Sequence, residues 1–290
     1  MTDSSQAAPA SGPLVRDISD TALWVAVYRA RESERPDALF RDPLARRLAG
    51  ERGEQIAHSP HFSRQDSWPY VARTWRFDQI IAAQIAQGTD MVVNLAAGLD
   101  ARPYRMELPA GLQWIEVDLP AMIDYKEQAL RGEKPRCALE RVRLDLSDVA
   151  ARQELFSDLG ARAKQALIVT EGLLVYLSPE EVRALGQDLA AQPGFQDWAI
   201  DLASPGLLKM LQKNLPVLSE AGSPLKFGPE EGPGFFTSCG WKPADVYSML
   251  KTAAKIGRLS LGMRLLSLLP EPTGRQGSRP WGGVCRLTRM

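Results

Sequence analysis

The spacing of apolar residues changes character along the chain, from helical periods before residue 90 to short apolar runs alternating with helices after it. From Asp20, the residues Leu23, Ala26, Val27 and Ala30 fall on one stripe of an amphipathic helix, with Ser19 or Asp20 placed to cap it and Arg29 at the stripe's border. Between residues 32 and 69 the pattern breaks into pieces, 38–40 and 43–48, separated by Arg, Asp, Gly and Pro, which reads as a helical cap rather than a core. Pro69 suits the first turn of a helix running to Gly88, because Phe77, Ile81 and Ile85 step by four and the final glycine suits a left-handed stop.

Strands are expected at 91–95, 112–117, 141–144, 166–170 and 197–202, with helices at 121–130, 148–159 and 179–191 between them. Such alternation predicts an α/β fold, a doubly wound and mostly parallel Rossmann-like sheet. The last of these helices opens with Ser178-Pro179-Glu180-Glu181, a capping box, and buries Val182, Leu185 and Leu189. Beyond Ala203 a turn at 204–206, a Gly- and Pro-rich loop at 222–234, an amphipathic helix at 243–256 with Val246, Met249, Leu250 and Ala253 inward, and a terminal strand at 284–288 are expected. The organisation that follows is a disordered tail over 1–13, a helical N-terminal cap over 14–75, and a sheet domain over 76–290 with a helical and loop insertion near 204–270.

Composition narrows the classes of partner. Lys plus Arg number 35 and Asp plus Glu 35, so the broad positive field that gathers nucleic acid is not expected. Cys137, Cys239 and Cys285 are far apart and odd in number, which suits reduced thiols in a cytoplasmic protein better than a zinc site or a disulfide framework, and no metal is expected. The longest early apolar run, 22–27, is too short to span a bilayer, and no membrane partner is expected. Nothing in the pattern sets the oligomeric state.

In an open α/β sheet, ligands lie outside the carboxyl ends of the strands. Reading those ends in order gives Gly98, Asp118, Asp145 and Glu171. A side chain at Gly98 would fill the space through which a ligand approaches the backbone, and Asp118, twenty residues on, offers two acceptors to a ribose. The dinucleotide fingerprint is broken, because Ala96 and Ala101 stand where its first and third glycines would be, so a sugar is expected and a pyrophosphate is not. The alternative role for Asp118 and Asp145 is to cap the helices that follow them. Glu171 is harder to place structurally, since it emerges from the apolar run 167–170 and burial without a partner is costly.

Three segments taken in order, Asn94-Leu-Ala-Ala-Gly-Leu-Asp-Ala-Arg-Pro-Tyr-Arg105, Glu116-Val-Asp-Leu-Pro120 and Thr170-Glu-Gly-Leu-Leu-Val-Tyr-Leu177, resemble the leucine carboxyl methyltransferase family. Thr21-Ala22, Tyr28-Arg-Ala30, Leu39-Phe-Arg-Asp-Pro43 and Ala72-Arg73-Thr74 match its bacterial members, and the likeness covers residues 17–203. The resemblance implies a class I methyltransferase that uses S-adenosyl-L-methionine. By that likeness Arg73 would pair with the cofactor's carboxylate, with Arg29 as a second partner, and Gly98 with Ala97 would let its methionine part approach the first strand. Asp118 would hold the ribose hydroxyls beside Leu119, Asp145 would accept from the adenine amine beside Leu146, and Glu171 would face the methionine amine. Many members carry Gly at the place of Ala96 and Thr at that of Ala101, and the match thins after Ala203, where the acceptor site is shaped.

A sulfonium methyl is already activated, so the protein mainly holds an acceptor about 3 Å away and in line. A carboxylate, with a pKa of roughly 4, needs no general base, which suits a chain with two histidines. A small-molecule carboxylate, or else a hydroxyl, is the expected acceptor. Candidates to approach it are Tyr28, Tyr104, Tyr176, His58 and His61, each with a packing or polar-loop role as the alternative. Trp24, Tyr28, Trp68 and Tyr70 make the cap aromatic, either to close over the methyl or to pack a core. The competing classes are a nicotinamide-dependent dehydrogenase, which the broken glycine pattern disfavours, and a non-catalytic cofactor-binding protein.

Overall fold

Strand periodicity distributes each strand's side chains to two faces, and the chain covers both with helices. A computed structural model describes residues 19–59, 62, 67–271 and 275–290; the tail expected over 1–13 lies outside them. Helices α1 (Ser19–Ser33), α2 (Ala45–His58) and α3 (Trp68–Ala86) precede β1 (Met91–Leu95), α4 (Arg102–Arg105), β2 (Gln113–Asp118), α5 (Pro120–Ala129) and β3 (Ala138–Arg143). Then come α6 (Val149–Arg162), β4 (Ala166–Thr170), α7 (Pro179–Ala190) and β5 (Phe195–Ala203). The chain ends through α8 (Pro205–Asn214), α9 (Pro216–Glu220), a 3-10 stretch (Gly232–Cys239), β6 (Trp241–Ser248), α10 (Met249–Lys255), α11 (Leu261–Ser267) and β7 (Gly282–Arg289).

The strands form one sheet in the order β3-β2-β1-β4-β5-β7-β6. Strands β1 to β5 pair in parallel, and β7 runs antiparallel between β5 and β6. From β1 the chain steps outward to β2 and β3, then returns to β4 on the other side of β1, so the direction of winding reverses between β1 and β4. Helices on opposite faces diverge at such a reversal and leave a crevice at the strand tips.

Met91, Val93 and Leu95 of β1, Ile168 of β4 and Ile200 of β5 pack with Phe156 of α6 and Val182, Leu185 and Leu189 of α7. The alternate residues, Val92, Leu167 and Val169, meet Phe77, Ile80 and Ile81 of α3. Each such side chain contributes roughly 1.5–3 kcal/mol on burial, so a one-residue slip of register would exchange the two faces and lose many of these contacts together. A third apolar body joins α1, α2, α8 and α9 with Leu99, Met122 and Tyr176. The stripe expected on α1 is buried, α3 is followed by Gly88 at φ +105°, and Ser178 with Glu181 forms the capping box.

Two expected elements differ in the structure, the helix at 243–256 and the start of the strand at 141. Residues 243–256 are not one helix: β6 occupies the first part and only Met249–Lys255 is helical, leaving Val246 48% exposed. This edge strand pairs only with β7, some forty residues later, and shifts register between Pro243 and Asp245, so its local periodicity misleads. The piece read at 43–48 runs into α2, which is kinked at Gly50. β3 also starts at Ala138, ahead of the expected residue 141.

Candidate functional site

The crevice at the winding reversal is a cavity of about 610 Å3. Its floor is made by the loop after β1 and the tips of β2, β3 and β4, and its walls by α1, α3, the 173–177 segment and the leucines of α8 and α9. Arg29, Arg73, Ala97, Gly98, Asp118, Leu119, Asp145, Leu146, Glu171 and Tyr176 all line it. Residues separated by up to 147 positions in sequence are thereby brought to one enclosure, because parallel strands present their carboxyl ends on the same edge.

At the β1–β2 end, the Gly98 amide donates to Asp118 Oδ2 at 2.6 Å and the Leu119 amide to Oδ1 at 2.7 Å. Gly98 sits at φ +48°, a left-handed conformation that favours glycine, and a Cβ there would lie 3.4 Å from the Ala22 methyl of α1. Ala96, two residues earlier, adopts φ +51° despite its side chain. Burial pushes the Asp118 carboxyl above its ordinary range, with the two amides working against that shift. Asp145 is exposed at the rim and accepts from the Ser147 amide at 2.9 Å, while Asp148 caps α6 through the Ala151 amide. Helix capping therefore falls to Asp148, and Asp145 braces the turn beside the cavity.

At the opposite end the charges are coupled. Arg73 Nε donates to Glu171 at 3.1 Å and Nη1 to Asp201 at 3.0 Å, and Asp201 also accepts from the Gly172 amide at 2.7 Å. Burial opposes the charged form of Arg73, but Asp201 and Glu171 outweigh it and raise its proton affinity. Arg102 reaches the second Glu171 oxygen at 2.9 Å while also holding Asp78 and Asp100. Burial raises the Asp100 carboxyl, yet Arg102, Lys126 and Arg105 overcome it and hold it at about 2. A guanidinium and a carboxylate side by side on one wall complement the carboxylate and ammonium of an amino-acid group. The acid on the floor, Asp118, offers acceptor oxygens that complement the hydroxyls of a ribose. The residues present therefore fit a nucleoside bearing an amino-acid tail.

Arg29 lines the cavity, but its guanidinium is committed to Asp42 at 2.9 Å and to the Leu99 carbonyl at 2.5 Å, so it ties α1 to the loop after β1. Tyr176 has its hydroxyl hydrogen-bonded to Thr21, and burial pushes it up to about 12. Trp24 and Tyr70 complete the aromatic wall.

Three candidates lie elsewhere. Tyr28 stacks on Tyr70, with centroids 4.9 Å apart and planes 14° from parallel, and donates to the Phe62 carbonyl, so it packs behind the wall. Tyr104 accepts from Arg141 at 2.7 Å, and Arg141 in turn binds the buried Glu116, which holds the phenol to the β2–β3 side. His58 ends α2 with its side chain 70% exposed, its ring nitrogen 2.7 Å from the Glu54 carbonyl. His61 lies outside the described residues.

The cavity residues Asn94, Asp100 and Arg102, and Asp201 beside them, escape the sequence reading. Asp201 carried a usable signal, a charge inside the apolar strand 197–202, the same feature that marks Glu171. Asp100 stands in the loop after β1 and Arg102 at the start of α4, where nothing local in the sequence separates a buried cluster from a solvated one.

The sequence model of the leucine carboxyl methyltransferase family matches residues 22–190, more than half of the chain. A Streptomyces avermitilis protein named as a putative S-adenosyl-L-methionine-dependent methyltransferase is 31% identical over 271 residues, covering 89% of this chain and 93% of its own. Among solved structures, a DUF574 family protein from Streptomyces avermitilis superposes with a TM-score of 0.58 at 11% identity over 92% of this chain and 96% of its own. A putative methyltransferase from Thermobifida fusca gives 0.55 at 16% identity over 95% and 96%; at these identities both likenesses concern the fold. The strand-tip motifs, the sheet that carries them and the family match agree, and the chain belongs to the leucine carboxyl methyltransferase family of S-adenosyl-L-methionine-dependent methyltransferases.

Proposed function

We propose that the protein methylates an oxygen, specifically a carboxylate, of a small-molecule acceptor. The observation that carries the donor end of this reading is the one cavity that the Gly98–Asp118 pair and the Arg73–Glu171 pair, backed by Asp201, both line. S-adenosyl-L-methionine supplies a methyl group on a positively charged sulfur. Asp118 would hold the ribose, Glu171 the ammonium and Arg73 the carboxylate, and Gly98 would admit the chain between them. Asp145 and Leu146 at the rim would receive the base. Trp24 and Tyr70 would keep water from the acceptor's side of the cavity.

The chemistry of the lining supports a carboxylate over a phenol. Among the described residues no histidine, lysine or cysteine lines the cavity, and Tyr176 remains protonated far above neutral pH. A phenol, with a pKa of about 10, would want a base or a nearby free cation, and the cavity's arginines are already paired, Arg29 with Asp42, Arg73 with Glu171 and Asp201, Arg102 with Asp78 and Asp100, and Arg152 with Asp188, whereas a carboxylate arrives ionised. Tyr176 then serves as a hydrogen-bonding phenol rather than a base.

Methyl-labelled S-adenosyl-L-methionine offered with paired carboxylic acids and phenols tests this. Label should enter a product that mild alkali releases as methanol, as an ester does. Label in an alkali-stable ether would replace the carboxylate with a hydroxyl acceptor, and tight binding of a nicotinamide dinucleotide in place of S-adenosylhomocysteine would remove the methyltransfer reading.

A further inference from the structure

The cavity is chemically divided. Asn94, Gly98, Asp118, Arg73 and Glu171 make up its polar part; Leu211, Leu215, Leu218, Leu225 and Val175, with Val25 of α1, make up its apolar part. These side chains belong to one continuous apolar cluster with α1. The Lys226 and Phe227 amides both donate to the Val175 carbonyl, at 2.7 and 3.1 Å, which fastens Leu225 beside the segment that follows Glu171. Tyr176 joins the two parts: it packs with the apolar cluster and lies within electrostatic reach of Arg73 and Asp201.

An apolar wall in contact with a cavity gains from burying apolar surface of a ligand. The polar part is matched by the donor's nucleoside and amino-acid groups, so the apolar part is left to the acceptor. Resting on the methyltransfer reading above, we infer that the acceptor is a carboxylic acid with an extended apolar body, selected by Leu211, Leu215, Leu218 and Leu225. Its carboxylate is directed toward Tyr176 and the donor, and its body lies along α8 and α9. Each methylene buried there adds about fourfold in affinity until the space is filled.

Straight-chain carboxylates from butanoate to decanoate, titrated below their micellar limits into protein saturated with S-adenosylhomocysteine, supply the test. Affinity should rise by about fourfold per methylene and then level off. Leu211→Gln, at a half-buried position, should weaken decanoate by about tenfold or more while sparing butanoate and S-adenosylhomocysteine. Leu265→Ser, on the exposed face of α11 where Leu265 is 69% accessible, should change nothing, which separates the cavity from adsorption to the surface. Affinity independent of chain length, or a length dependence that Leu265→Ser abolishes and Leu211→Gln leaves intact, would overturn the inference. Failure of S-adenosylhomocysteine to bind the unaltered protein would instead overturn the reading on which it rests, and the acceptor assignment with it.

Discussion

Glu171→Gln isolates one charge of the cluster at the β4 tip with almost no change in volume. Its two carboxylate oxygens meet Arg73 at 3.1 Å and Arg102 at 2.9 Å, and its side chain is 15% exposed, so the loss is felt largely unscreened. A hydrogen bond between a charged carboxylate and a ligand ammonium is worth roughly 1.5–3 kcal/mol, or about ten- to 150-fold in Kd. The substitution also leaves Arg73 with Asp201 as its remaining carboxylate partner, which raises the positive potential at the site and favours a ligand carboxylate. These effects oppose each other in a single titration. A cycle separates them: S-adenosylhomocysteine and its analogue lacking the amino group are each titrated calorimetrically into the parent and the variant. If Glu171 holds the ammonium, the parent should lose about ten- to 150-fold on removal of the amino group and the variant far less. Equal losses in both proteins would show that carboxylate and ammonium do not meet, and the assignment of Glu171 would fail.

Asp118→Asn turns an acceptor into a donor facing either the Gly98 or the Leu119 amide, so both stability and adenosine affinity should fall by about 1–3 kcal/mol, measured by denaturant unfolding and by titration; unchanged adenosine binding would remove Asp118 from the site. Asp100, held at about 2, contributes about 2–3 kcal/mol that is present above the unfolded carboxylate's pKa near 4 and is lost as pH falls toward 2. Asp100→Asn should therefore cost that amount at pH 7 and about half of it at pH 3, and a deficit that does not shrink on acidification would contradict the ion-pair account. Ala96→Gly relieves a left-handed backbone worth roughly 1–2 kcal/mol and sacrifices about 0.4–1 kcal/mol of unfolded-chain entropy, so thermal unfolding should show a net gain of about 0.5–1 kcal/mol. A loss of stability would mean that the Ala96 side chain packs more than its backbone strains.

The alternation of strands and helices from β1 to β5, the glycine after β1 and the acids at successive strand tips were legible in the sequence. Local periodicity and capping chemistry act over a few residues: β1 and β4 begin and end where the apolar runs do, and Ser178 caps α7 through its neighbour Glu181. The strand nature of β6 was hidden because it depends on β7, and the roles of Tyr28 and Tyr104 depended on Phe62 and Arg141, which no local pattern connects to them. Arg73 and Glu171 could be named from sequence, but their pairing with each other and with Asp201 spans 98 and 128 residues. That pairing, and the meeting of the α8–α9 leucines with the strand tips, belong to the tertiary fold. Identity and spacing along a chain set which groups are available, while packing of both sheet faces sets which distant groups are forced to share a desolvated space and so must compensate one another's charge.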